Sequence, residues 1–200
     1  MTKKAMKLLL MDQIKSAIWF LCIYALIIAI LSIVFHYIKD VDRSWMGISS
    51  IYSPKVYLLV MGIVYPLISA ELYLSRGLTR RQYFWALTGA IGILSLGLLL
   101  PMVIAEILMG TITPMSVIVN LIQMPLFFLM GWTIAAGFQF GKWYTAFGGI
   151  LCVIVCFHIL NALSVWLHLP EAALLGTSLI LLAAQINLLP RVIHCIPIKG

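Results

Sequence analysis

Leu74-Ser75-Arg76-Gly77-Leu78-Thr79-Arg80-Arg81-Gln82-Tyr83-Phe84 is a short basic break between two long apolar runs. Gly77 is placed to end one helix in a left-handed conformation, as glycine often does at helix C-termini. Thr79 followed three residues later by Gln82 is a capping-box pattern, in which each side chain satisfies an otherwise orphaned backbone N–H of the other. The break therefore specifies a stop, a turn and a restart, and predicts a small helix over residues 78–84. What flanks it decides the fold.

On either side, residues 55–74 and 83–109 meet the requirement of about 20 mainly apolar residues for crossing a hydrocarbon core. Residues 16–38, 115–138, 144–167 and 172–189 do the same. The chain is 64% hydrophobic and 10% charged, whereas ordinary globular domains are about a quarter charged. Six spans use up nearly all of the 200 residues and leave no room for a soluble domain. The expected fold is an all-α polytopic membrane domain, residues 16–189, with a leader over 1–15 and a tail over 190–200.

The net charge of +7 is distributed as a membrane topology rather than as a nucleic-acid surface. Lys3, Lys4, Lys7 and Lys15 precede span one, Arg76, Arg80 and Arg81 separate spans two and three, Lys142 follows span four, and Arg191 and Lys199 follow span six. The other connections carry Lys39, Arg43 and Lys55, offset by Asp40, Asp42 and Glu171. Basic residues accumulate in cytoplasmic loops, so both termini are expected inside, as an even number of spans requires. No cleavable signal peptide is expected, because the first apolar run is too long for a signal core.

In the leader, Met6, Leu9, Leu10 and Ile14 cluster on a helical wheel, largely opposite Lys4, Lys7, Asp12 and Lys15. That pattern predicts an interfacial amphipathic helix over 1–15, its lysines near anionic lipid headgroups. Residues 39–54 form the longest exposed connection, with turn residues Ser49, Ser50, Ser53 and Pro54 and candidate interface anchors Trp45 and Tyr52. Pro66, Pro101 and Pro125 are expected to kink spans two, three and four. Gly89, Gly92 and Gly97, with Gly148 and Gly149, are candidates for close helix contact.

Polar groups inside a bilayer mark interfaces or pathways. Asn120 and Gln123 lie three apart in the outer half of span four, His158 and Asn161 three apart in the outer half of span five, and Glu106 near the outer end of span three. These five are candidates for lining one shared cavity, or else for separate interhelical hydrogen bonds. Glu71 is expected to pair locally with Arg76, Arg80 or Arg81, and Gln185 and Asn187 to serve packing or reach water. Cys152 and Cys156 share a helix face, but without further ligands they suggest packing, not a metal site. No nucleotide-binding loop, zinc-protease pair or nucleophile elbow is present, so no catalytic residue is assigned and the chain is not expected to be an enzyme alone.

The leader, the six spans and the stretch Leu74–Phe84 together resemble the permease subunit of a type-2 ABC exporter. The resemblance in topology covers the whole chain, and that in motif covers about a dozen residues. It implies that Arg76, Gly77, Thr79, Arg80, Arg81, Gln82, Tyr83 and Phe84 form a coupling helix docked on a cytosolic ATPase, a separate chain that carries the ATP and Mg²⁺. It also implies a second permease copy or a sister permease, residence in a bacterial cell membrane, and no cofactor on this chain. Antimicrobial peptides or hydrophobic drugs are the cargo expected of so small a permease. The outer excursion common in that family between spans five and six is here nearly a bare turn, unless residues 161–170 re-enter the membrane. A substrate-binding subunit of a vitamin-type uptake system, also six-span and about this long, is the alternative, with Ala25-x-x-x-Ala29 as a helix-contact pattern. A non-transport scaffold or immunity protein is a third.

Overall fold

The apolar runs fold as helices because a chain in hydrocarbon must satisfy its backbone N–H and C=O groups internally. The structure, a computed structural model, describes residues 2–37, 44–109, 113–161 and 171–195. These form α1 (Thr2–Tyr37), α2 (Ser44–Ser75), α3 (Arg80–Met109), α4 (Pro114–Gln139), α5 (Trp143–Asn161) and α6 (Glu171–Cys195). All six are long and apolar enough to cross a membrane, so the chain is an all-helical, multi-pass membrane protein.

Residue pairings fix how the helices run. Gly62 of α2 meets Gly131 of α4, Thr133 of α4 meets Gln185 of α6, and Met6 of α1 meets Gly89 of α3. Further along, Gln139 of α4 reaches Pro66 of α2. Gln123 of α4 likewise meets Ser178 of α6, so α2 and α6 flank α4 and run in its direction. Thr145 of α5 donates to the Gly137 carbonyl of α4 at 2.9 Å, which sets α5 the other way.

The centre is α4. Trp132, Phe128 and Met124 are buried, and Trp132 meets Tyr83 and Phe84 of α3 at ring-centroid distances of 5.7 and 5.3 Å. At Gly62 and Gly131 the backbones of α2 and α4 touch: an added Cβ on either would collide with a carbonyl oxygen, of Phe128 and Leu59 respectively. Small residues allow such approach, and close approach is what holds helices together where there is no water to expel. Gly149 packs on Thr133 of α4 and Gly89 on Met6, whereas Gly92, Gly97 and Gly148 face open space. The sequence pattern pointed to the last three wrongly and missed Gly62 and Gly131. Large apolar side chains such as Trp143, Ile180 and Ile68 are exposed, as a lipid-facing surface requires.

Several expected boundaries move. The leader is no separate helix but the first turns of α1, and Leu9 and Gln13 within it are fully buried. Of its apolar stripe, Leu9 lies in the same core as Leu87 and Ile91 of α3 with Met6 and Leu10 packed against it, while Ile14 is exposed. Residues 44–54, expected as turns, are the beginning of α2 and include Pro54. Likewise α6 continues past residue 189 through Pro190 to Cys195. Pro66, Pro101 and Pro125 lie inside α2, α3 and α4. Ala25 and Ala29 are both exposed. Of the re-entrant segment expected over 161–170, Asn161 is the last residue of α5 and the rest lies outside the described residues.

Candidate functional site

Two places in the bundle concentrate polar chemistry, one at each end. At the basic end, α2 stops at Ser75 and α3 starts at Arg80. Gly77 adopts φ 86°, its N–H donates to Leu74 O at 3.0 Å, and the Leu78 N–H donates to Tyr73 O at 3.3 Å. This pair of bonds is a Schellman stop, and its usual apolar contact is present because Leu78 packs into the core that holds Tyr73. The restart is the capping box the sequence encodes. The Gln82 N–H donates to Thr79 Oγ1 and the Thr79 N–H donates to Gln82 Oε1, each at 3.2 Å.

The restart differs from expectation in one respect. Residues 78–84 do not form a helix of their own, because α3 runs unbroken from Arg80 to Met109. Tyr83 is 2% and Phe84 0% exposed, so these two aromatics build the core and do not form a docking surface. The Tyr83 hydroxyl shares a hydrogen bond of 2.7 Å with Ser69 of α2, which locks the two arms of the turn. Arg76, Gly77, Thr79 and Arg81 are exposed. Arg80 turns inward along the surface, donating from Nη1 to Ile193 O at 3.0 Å and to His194 O at 2.7 Å. It thereby caps carbonyls that the end of α6 would leave orphaned, and its charge favours the negative end of that helix. Glu71 is exposed, and among the described residues it makes no ion pair with these arginines. From α2, Tyr73 also donates to Asp12 of α1 at 3.2 Å, while the Arg76 guanidinium lies 5.9 Å from the Tyr73 ring centre. The corner thus touches α1, α2, α3 and α6.

At the opposite end a cavity of about 190 Å³ opens between α2, α4, α5 and α6. Tyr52, Lys55, Ser116, Asn120, Gln123 and Glu171 supply its polar wall. Phe127, Phe157, Leu160 and Leu174 supply much of the apolar wall. Lys55 is only 4% exposed, and its ammonium donates to Gln123 Oε1 at 2.7 Å and lies 5.3 Å from the Tyr52 ring centre. Gln123 in turn donates from Nε2 to Ser178 Oγ at 3.3 Å. At the rim, Thr113 Oγ1 lies 2.9 and 3.1 Å from the two Glu171 carboxylate oxygens, while Thr113 also caps α4 in a capping box with Ser116. A buried ammonium is costly unless hydrogen-bonded, and this one is held by a side chain from the neighbouring helix.

The structure thus brings Asn120 and Gln123 onto one cavity wall, as their spacing suggested, but with different companions. His158 is exposed on α5, away from the wall formed by its neighbour Phe157. The side chains of Glu106 and Asn161 lie outside the described residues. Lys55, Glu171 and Ser178 were not foreseen as members of the site. Lys55 reads as a loop residue only while α2 is thought to start there. Gln185 accepts from Thr133 at 2.8 Å and Asn187 donates to its own helix at Ala183 O, so both serve packing. Among the described residues no group of three His, Cys, Asp or Glu side chains is placed to hold a metal ion. No protein-family model matches the chain, and no curated protein or solved structure shows significant similarity to it.

Proposed function

We propose that this chain is the membrane-spanning permease subunit of an ATP-driven exporter, driven through the corner Arg76–Gln82 by an ATPase on a separate chain. The observation that supports this reading is the build of the corner. A Schellman stop and a capping box fix its backbone, Arg76 and Arg81 stand exposed, and Arg80 ties it to the end of α6. A connection needed only to reverse the chain would not require the tie from Arg80 to the end of α6. A surface that receives force must be stiff, and it must be joined to the elements that are to move.

Arg76, Arg80, Arg81, Lys142 and Arg191 collect at this end of the bundle, which the positive-inside rule puts in the cytoplasm together with both termini. The export reading takes the membrane to be the cell membrane of a bacterium. ATP and Mg²⁺ belong to the ATPase, and this chain contributes no catalytic group. Movement of the partner would press on the start of α3. The Ser69–Tyr83 bond passes that displacement to α2, and the Arg80 bonds pass it to α6. The 190 Å³ cavity is too small for a peptide, so an amphipathic peptide or hydrophobic drug would pass between two permease copies, or between this chain and a sister permease. The test is reconstitution of the chain with the ATPase that co-purifies from its native membrane. ATP-dependent movement of a fluorescent amphipathic peptide across the vesicle wall is expected, and equal movement without ATP would overturn the reading.

A further inference from the structure

Most residues of α5 and of α6 face outward from the bundle, yet the two helices are fastened to α4 in different ways. Hydrogen bonds join α6 to the α4 side at three levels. Thr113, the N-cap of α4, donates to the Glu171 carboxylate, the Gln123 carboxamide donates to Ser178 Oγ at 3.3 Å, and Thr133 donates to Gln185 Oε1 at 2.8 Å. From Glu171 to Gln185 these ties cover about 21 Å of helix. Beyond them, Arg80 holds the Ile193 and His194 carbonyls at the other end of α6.

The fastening of α5 is confined to its first half. Thr145 donates to the Gly137 carbonyl at 2.9 Å, and at Gly137 and Gly149 an added Cβ would crowd the carbonyl oxygens of Thr145 and Thr133. Over residues 150–160 the contact changes character. Among the described residues, these side chains make no hydrogen bond to another helix. Val153 and Leu160 are buried with Leu126 and Met130 of α4, and Phe157 meets Phe127 edge-on at 6.3 Å. The 190 Å³ cavity lies beside this contact, with Phe157 and Leu160 in its wall.

Inside a bilayer these two kinds of contact differ in what it costs to part them. Lipid tails are as apolar as leucine, so separating apolar side chains moves them into like surroundings and loses mainly packing. Separating Gln123 from Ser178 instead leaves polar groups without partners where there is no water to replace them. The backbone approach at Gly137 and Gly149 is the close packing that holds helices together in lipid. Helices α4 and α6 therefore form one frame. To that frame α5 is fastened at one end, and its other end is the most easily displaced wall of the cavity.

We propose that α5 is a lateral gate: it pivots where Gly137 and Gly149 bring it against α4, and residues 150–160 swing outward to open the cavity sideways to the lipid. The bonds of the polar wall survive this movement, because Lys55, Gln123 and Ser178 stand on α2, α4 and α6 and none of them on α5. Entry by this route suits molecules dissolved in the bilayer rather than ions arriving from water. The gate belongs to this chain alone and does not depend on an ATPase or on the direction of transport.

The experiment is electron–electron distance measurement between pairs of nitroxide labels on the full-length chain in lipid nanodiscs, with the native cysteines replaced by alanine. Ile118 of α4 and Ile159 of α5, both exposed, form the outer pair, and Phe138 with Phe147 forms the pair near the pivot. Ile118 with Ile180 of α6 reports on the frame. From Gly149 to Ile159 the helix is about 15 Å long, so a tilt of about 20° moves its end by about 5 Å. A second population longer by about that much is expected for the outer pair, and a single narrow distance for the other two. Phe157→Ala, which removes the edge-on contact with Phe127, should at least double the longer population. Ile118 with Val155, nearer the pivot, should show a smaller displacement and covers the case in which a label at position 159 disturbs the fold.

A single narrow distance for both outer pairs would overturn the gate. So would a spread between Ile118 and Ile180 equal to that between Ile118 and Ile159, which would mean that the whole bundle loosens, or an unchanged longer population in folded Phe157→Ala. Because no ATPase takes part, a negative result leaves the export reading standing, and failure of ATP-driven transport leaves the gate standing.

Discussion

The guanidinium of Arg80, in the first turn of α3, donates to the backbone carbonyl of His194, in the last turn of α6, at 2.7 Å. These residues stand 114 apart in sequence, and the bond joins the corner between α2 and α3 to the end of α6. Replacing Arg80 with alanine removes this bond and the companion bond to Ile193 O, leaving two carbonyls short of a partner. The expected loss is about 1.5 kcal/mol, the low end for hydrogen bonds from a charged group, because one of the two is at the surface. Arg81→Ala, at an exposed position, should leave the melting temperature unchanged. Thermal unfolding in nanodiscs compares the two, and equal melting temperatures would remove the strut from the account.

At the contact between α2 and α4, Gly62→Ala should destabilise by about 3 kcal/mol or more, since the new methyl meets backbone, which cannot rotate away as a side chain would. Gly92→Ala, on an open helix face, should instead gain about 0.5–1 kcal/mol from helix propensity. Denaturant titration of the pair checks the sign of each. A neutral Gly62→Ala would mean that the two helices do not approach so closely.

Gln13 is fully buried, with neither its carboxamide nitrogen nor its oxygen hydrogen-bonded among the described residues. Leaving a buried polar group unsatisfied costs about 1–3 kcal/mol, so Gln13→Leu, of similar volume, should raise the melting temperature. A lowered melting temperature would show that the carboxamide has a partner in the assembled protein, such as a lipid headgroup or a second chain.

Inside the polar wall, Gln123→Leu takes the acceptor from the Lys55 ammonium and should cost about 1.5–3 kcal/mol, as for a hydrogen bond to a charged group. His158→Leu should be close to neutral, because that side chain faces outward from α5. The same unfolding measurement distinguishes them. A large effect at His158 would restore the five-membered layer that the sequence spacing suggests.

The corner was legible in the sequence because its signals are local. Gly77, Thr79 and Gln82 act on backbone groups within three or four residues of themselves, and each makes the bond its position calls for. The six helices were legible for a similar reason, since hydropathy needs no knowledge of neighbours. Membership of the polar wall was not. Gln123 meets Lys55 across 68 residues and Ser178 across 55, and neither pairing leaves a mark on the local pattern. The close approach of Gly62 and Gly131 is equally a property of which helices become neighbours. Tyr83 and Phe84 show the opposite error: they continue a surface motif in sequence, yet the helical turn carries them into the core beside Trp132.

The export reading rests on the corner as a docking surface, and site-directed crosslinking tests that most directly. With cysteine at position 81, the account predicts a specific adduct between this chain and an ATP-hydrolysing subunit in native membranes, its yield changing when ATP is added. Cysteine at position 113, beside Glu171 at the far end of the bundle, should give none. Equal yields from the two positions, or no ATPase adduct from position 81 in membranes where the complex transports, would contradict it.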